Sequence, residues 1–300
     1  MPADDLVRWM ASASAKILPE ARAALALARR SAGDLGEAVW GSDFEQRVAV
    51  VRERYAGRGG DPFGLDPDTA ERVVKLSAFL HRLYFRTKVE GLGHLPPGRV
   101  LLVANHSGQV PIDAVIISAA CFLDADPPRL VRALVEKWAS TLPFVSTFFT
   151  RLGHVVGVPE NGRRLLAMGE TVLVFPEGIR GVSKPFSRRY QLAEFGRGFM
   201  RLCMATETPI VPVALVGAEE QYISFGNLDW AARLLHMPVF PLVPQLLPLP
   251  TKYHLQFGEP LNFAGDPDDD ALVTEHVALV EAAIAVMLDE GLRERRGVFL

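Results

Sequence analysis

The feature that most constrains the fold is a series of short apolar runs, most of them nearly continuous in Val, Leu and Ile, set between stretches of helical spacing. The runs lie at residues 99–104, 130–135, 154–158, 171–175, 210–216 and 253–257. A strand that alternates apolar and polar residues has one wet face, whereas a continuous run is dry on both. Dry strands separated by helices predict an α/β fold, with a largely parallel central sheet flanked by helices. The last helical stretch, 271–290, sets Val273, Val277, Val280, Ile284 and Met287 on one stripe and is expected to close the core.

Residues 6–55 also repeat apolar positions at helical spacing, with Leu6, Trp9, Met10, Ala13 and Ile17 on one face. This predicts an N-terminal amphipathic helical extension, which either lies at a membrane interface or packs on the main domain. A loop rich in Gly and Pro, 57–68, follows it, and a further helix is expected near 71–85. The chain thus divides into a helical region 1–85, a possible membrane-surface anchor, then a main domain 86–265 and a C-terminal helix 266–300 packing on the core. Residues 226–251 are apolar but broken by proline at a density that defeats both a long helix and an interior strand. Such a segment either covers a core, or dips into lipid or lines an acyl channel.

Composition narrows the partners. A net charge of −3 gives no whole-protein attraction to nucleic acid, so no nucleic-acid partner is expected. Cys121 and Cys203 each sit in an apolar stretch without paired spacing and read as core residues. The histidines are scattered, and no metal is expected. No uninterrupted apolar stretch reaches the roughly 18 residues of a spanning helix. The opening Met1-Pro2-Ala3-Asp4-Asp5 is acidic where a secretory signal is basic. The expectation is a cytoplasmic protein, peripheral on the inner membrane face.

Two strand-to-turn segments carry the chemistry. In the first, residues 101–113 (LLVANHSGQVPID), a buried-type run leads through Asn105, His106 and Ser107 to Pro111 at a helix start, with Asp113 in the first turn. Loops after the carboxyl ends of such strands are the usual ligand positions. A histidine there suits proton abstraction near neutral pH, and a carboxylate on its second nitrogen would fix the tautomer. The plain alternatives are a hydrogen-bonded loop histidine and an aspartate that only favours the helix dipole. Ser107 is a secondary candidate nucleophile. In the second segment, residues 171–181 (TVLVFPEGIRG), Gly178 and Gly181 allow close backbone approach, Arg180 offers a planar fork for phosphate or carboxylate, and Glu177 is placed to hold a hydroxyl or orient that arginine. Lys184, Arg188, Arg189, Arg197 and Arg201 add a local positive excess, suited to a phosphate-bearing ligand or to a solvated helix face. No dinucleotide fingerprint or Gly-x-Ser-x-Gly elbow occurs.

Taken in order, Asn105-His106 with Asp113, the Phe175-to-Arg180 block and the Thr208-to-Ala214 block resemble the glycerol-3-phosphate and lysophosphatidic acid acyltransferase family. The resemblance covers roughly residues 89–263, and the Asn-His-Ser-Gly form of the first motif is similar to a divergent branch allied to diacylglycerol acyltransferase-like proteins. It implies an acyltransferase moving a fatty acyl group from acyl-CoA or acyl carrier protein to a glycerolipid hydroxyl. His106 and Asp113 would be the catalytic dyad, and backbone amides near Gly178 would bind the oxyanion. Asn105, Ser107, Glu177, Gly178, Arg180, Lys184 and Pro212 would lie in the substrate site. No cofactor beyond the acyl donor is implied. Two departures stand out. Six residues separate His106 from Asp113 where the family pattern has four, and residues 153–161 (GHVVGVPEN) lack the arginine the family carries after that strand. The competing readings are a thioesterase or lipid hydrolase using the same histidine, and a non-catalytic acyl-lipid binding protein.

Overall fold

A computed structural model of the chain describes residues 36, 39–56, 61–107, 111–142, 144–234, 238–243, 245 and 247–299. The chain divides into two compact units, Met1–Phe44 and Glu45–Leu300. Most of the expected N-terminal extension lies outside the described residues. The helical region of the sequence reading is therefore shared between the two units, since its helices after residue 44 belong with the sheet.

In the second unit a helix, α1 (Phe44–Ala56), carries Tyr55, whose hydroxyl donates to the buried Glu170 carboxylate at 2.7 Å. Helix α2 (Pro67–Phe79) begins earlier than expected, because Asp66 caps it and Pro67 fills its first position. A π turn, Leu80–Tyr84, extends it. There follow β1 (Lys88–Glu90), β2 (Val100–Ala104), α3 (Ile112–Leu123), β3 (Val131–Val135), α4 (Val145–Arg151), β4 (Val155–Val156), α5 (Pro159–Ala167), β5 (Thr171–Val174), α6 (Ile179–Val182), α7 (Gly198–Thr206), β6 (Ile210–Val216), α8 (Asp229–Leu234), β7 (His254–Phe257) and α9 (Asp270–Glu294).

The strands form one sheet in the order β1-β7-β6-β2-β5-β3-β4. Every neighbouring pair is parallel except β6 with β7. This is the expected α/β architecture. The continuous runs are explained by the two cores they serve. On β2, Leu101 and Val103 face α5, α7 and α9, while Val100, Leu102 and Ala104 face α3. Successive side chains point to opposite faces, so both sets must be apolar. Helix α9 is long and apolar enough to cross a membrane, but Val273, Val277, Val280, Ile284 and Leu288 are buried in the sheet core. Each such side chain stabilises the fold by roughly 1.5–3 kcal/mol. Cys121 and Cys203 are buried free thiols, and burial pushes both up to about 12, which keeps them protonated and inert.

Part of the Gly- and Pro-rich loop belongs to the domain. Asp61 accepts from both guanidinium ends of Arg132 at 3.0 and 3.1 Å, and Arg132 is fully buried on β3, where it also donates to the Gly153 carbonyl. Removing one partner of a buried pair strands the other charge. Asp61→Ala is therefore expected to lower unfolding stability by about 3–5 kcal/mol, read by urea denaturation.

Candidate active site

The strands β6, β2 and β5 lie side by side and parallel, so the turns that leave their carboxyl ends meet at one edge of the sheet. The β2 exit is fixed first. Asn105 is fully buried; its Nδ2 donates to the Leu215 carbonyl at 3.2 Å and its Oδ1 accepts the Leu215 N–H at 2.8 Å. The side chain thus continues the β2–β6 ladder beyond the last backbone pair. The Asn105 side chain is thus engaged by the sheet.

His106 is held at three points. Its main-chain N–H donates to Glu177 Oε1 at 2.8 Å, and its ring stacks on Phe175 with centroids 4.1 Å apart and planes 19° from parallel. Its Nδ1 donates to Asp113 Oδ2 at 2.6 Å. Asp113 is fully buried in the first turn of α3; the same Oδ2 accepts the Ser107 N–H at 2.9 Å, and Oδ1 accepts the Ala114 N–H at 2.8 Å. The carboxylate therefore draws the helix start back onto the strand exit. That closes the dyad across the longer spacing.

Ser107 is 1% exposed, and its Oγ has no hydrogen-bond partner among the described residues. It lines an open cleft, together with Gly181, Lys184, Glu219, Tyr222 and Ser224, and with Pro241 and Val243 from the proline-rich segment. Gly181 brings the second turn against the first: a Cβ there would stand 2.9 Å from both His106 Cβ and Glu177 Cβ.

The remaining expected residues fall differently. Glu177 is buried and bonded to His106, to the Ala193 N–H at 2.7 Å and to Lys184 Nζ at 3.2 Å, not to Arg180. Lys184 also reaches Glu219 at 3.0 Å and the Gln191 carbonyl at 3.1 Å, so its three donors are used. Both side chains are thus engaged within the protein, and Lys184 also lines the cleft. Gly178 has φ +54°, and its N–H donates to the Phe175 carbonyl at 3.0 Å, so that amide closes the turn and is not free for an oxyanion. Arg180 is exposed and pairs with the exposed Glu194 at 2.9 Å. Pro212 is buried in mid-strand opposite Val103, with its carbonyl accepting from Gly258, well short of the strand exit. Arg197 and Arg201 pair with Asp270 at the start of α9 and serve the fold.

Sequence reasoning passed over Phe175 as a ring platform and Glu219 altogether. Glu219 follows β6 as His106 follows β2, in the run Val216-Gly-Ala-Glu-Glu220, so the strand-to-turn pattern was there to find it. Burial pushes its carboxyl up to about 7 against the opposing pull of Lys184.

A histidine held by a buried carboxylate at the carboxyl edge of a largely parallel sheet, beside an open cleft, stands where α/β proteins bind their ligands. Comparison with known proteins makes the class specific. The family model described as Acyltransferase matches residues 86–216. Uncharacterized protein ML2427 of Mycobacterium leprae is 36% identical over 278 residues, covering 86% of this chain and 76% of that protein. The DGAT1/2-independent enzyme synthesizing storage lipids of Mus musculus is 22% identical over 207 residues, covering 69% of this chain and 60% of its own. The crystal structure of the 1-acyl-sn-glycerophosphate (LPA) acyltransferase PlsC from Thermotoga maritima shares the fold, with a TM-score of 0.52 at 21% identity over 76% of this chain and 81% of that one. Residues 86–216 form a domain of the acyltransferase family, and the protein is an acyltransferase.

Proposed function

We propose that the protein moves a fatty acyl group from acyl-CoA or acyl carrier protein to a hydroxyl of a glycerolipid such as lysophosphatidic acid, with His106 as general base. The observation that carries this is the 2.6 Å bond from His106 Nδ1 to the buried Asp113. A carboxylate can only accept, so Nδ1 carries the proton and Nε2 keeps its lone pair. Nε2 takes the acceptor's hydroxyl proton as the oxygen attacks the thioester carbonyl; the C–S bond then breaks, and the imidazolium returns the proton to the departing thiolate. Asp113 stabilises the imidazolium in between.

Direct attack is favoured over an acyl-enzyme. A serine nucleophile needs its Oγ hydrogen-bonded to the base, and Ser107 Oγ has no such bond. Its buried hydroxyl on the cleft wall, unpartnered among the described residues, is instead suited to hold the acceptor. Arg180, held by an exposed ion pair of small worth, is a cation that could be exchanged onto a phosphate-bearing acceptor. The exposed Phe225 and Leu242 adjoin cleft-lining Ser224, Pro241 and Val243 in sequence, and with the exposed Trp230 they support attachment at a membrane surface.

Incubation with labelled acyl-CoA or acyl carrier protein and a panel of glycerolipid acceptors tests the reading. Labelled acylated lipid is the expected product. Free fatty acid alone would make the protein a hydrolase, and unchanged donor with every acceptor would make it a binding protein.

A further inference from the structure

Lys184 is more deeply engaged than a surface cation. It stands between two buried carboxylates, Glu177 from the turn after β5 and Glu219 from the turn after β6, with its side chain 10% exposed. The segment 190–193 is laced over the same three groups: the Tyr190 N–H donates to Glu219 Oε2 at 2.9 Å, the Gln191 carbonyl accepts from Lys184, and the Ala193 N–H donates to Glu177 Oε2. The other oxygen of Glu177 holds the His106 N–H.

We propose that Lys184 is a positioning residue that ties Glu219 to Glu177, fixes the Glu177 carboxylate on the His106 main chain, and thereby sets the imidazole against Asp113. The proposal rests on the reading of His106 as the base. The chemistry requires a cation at this point. Two buried carboxylates facing each other without one would repel, and one would take up a proton. With the cation gone, Glu177 would lose its charge partner and be free to turn away from the His106 N–H. With all three ammonium donors used, Lys184 has none left for a substrate phosphate.

The test uses the full chain and two readouts, one independent of turnover. The first is the far-downfield proton NMR resonance expected of a short Nδ1–H···carboxylate bond, assigned by its loss in His106→Ala. Lys184→Met should broaden or abolish it. The second is steady-state acyl transfer, where Lys184→Met should lower kcat at least about tenfold with KM within about twofold, the effect of a misplaced base. In a Glu177→Gln background the same substitution should change kcat by less than about twofold, because the residue it acts through is already altered. Glu219→Gln, which keeps an acceptor for Lys184, should move both readouts in the same direction by less, and it decides the matter if Lys184→Met does not fold. An unchanged resonance, an equal loss of kcat in both backgrounds, or a raised KM at constant kcat would overturn the proposal. If the wild type transfers no acyl group, only the functional reading falls, and the resonance still decides whether Lys184 positions His106.

Discussion

Replacing His106 by alanine is expected to lower kcat for acyl transfer by roughly 100- to 10,000-fold, the usual worth of a positioned general base. The change should leave the fold in place. The His106 side chain is 16% exposed at the strand exit, and the sheet contact there is made by Asn105. KM for the acceptor should move little, since the lost interaction belongs to the transition state and not to binding. Steady-state kinetics beside a thermal melt check both halves: a large loss of kcat with an unchanged melting temperature is the expected pair of results.

Asp113→Asn is expected to cost kcat nearly as much, for a different reason. The amide retains an oxygen for the Ser107 or Ala114 N–H, so the turn should still form. Opposite His106 Nδ1, however, an amide neither stabilises the imidazolium nor enforces the Nδ1–H tautomer, and its own NH₂ favours the tautomer protonated at Nε2, which cannot act as base. The expected loss is again roughly 100-fold or more. The double variant His106→Ala/Asp113→Asn should be no slower than His106→Ala alone, because the two act as one unit. Measured kcat values for the three variants check this non-additivity.

The sheet was legible because buried parallel strands write themselves as unbroken apolar runs. β1 was not: Lys88-Val-Glu90 is three residues long with a charge at each end, and it becomes a strand only by pairing with His254–Gln256 far along the chain. The positions of His106 and Asp113 were legible as a strand exit and a helix start. Their contact was not, since it depends on a carboxylate that also folds the loop through the Ser107 N–H. Asn105 and Lys184 read as ligands because a polar residue beside a candidate base looks functional when its partners are out of view. Those partners, Leu215 and Glu219, lie 110 and 35 residues away. Local sequence thus marks where a site can form, while long-range hydrogen bonding decides which of its polar residues remain free for a substrate.

In the proposed mechanism His106 activates the acceptor hydroxyl for direct attack on the thioester. The most direct test is a rapid-quench experiment with labelled acyl-CoA and lysophosphatidic acid, following label in both lipid and protein for the wild type and His106→Ala. The expected result is labelled glycerolipid from the wild type with no label on the protein at any time, and neither species from the variant. Transfer by His106→Ala at the wild-type rate, or label passing through the protein before it reaches the lipid, would contradict it.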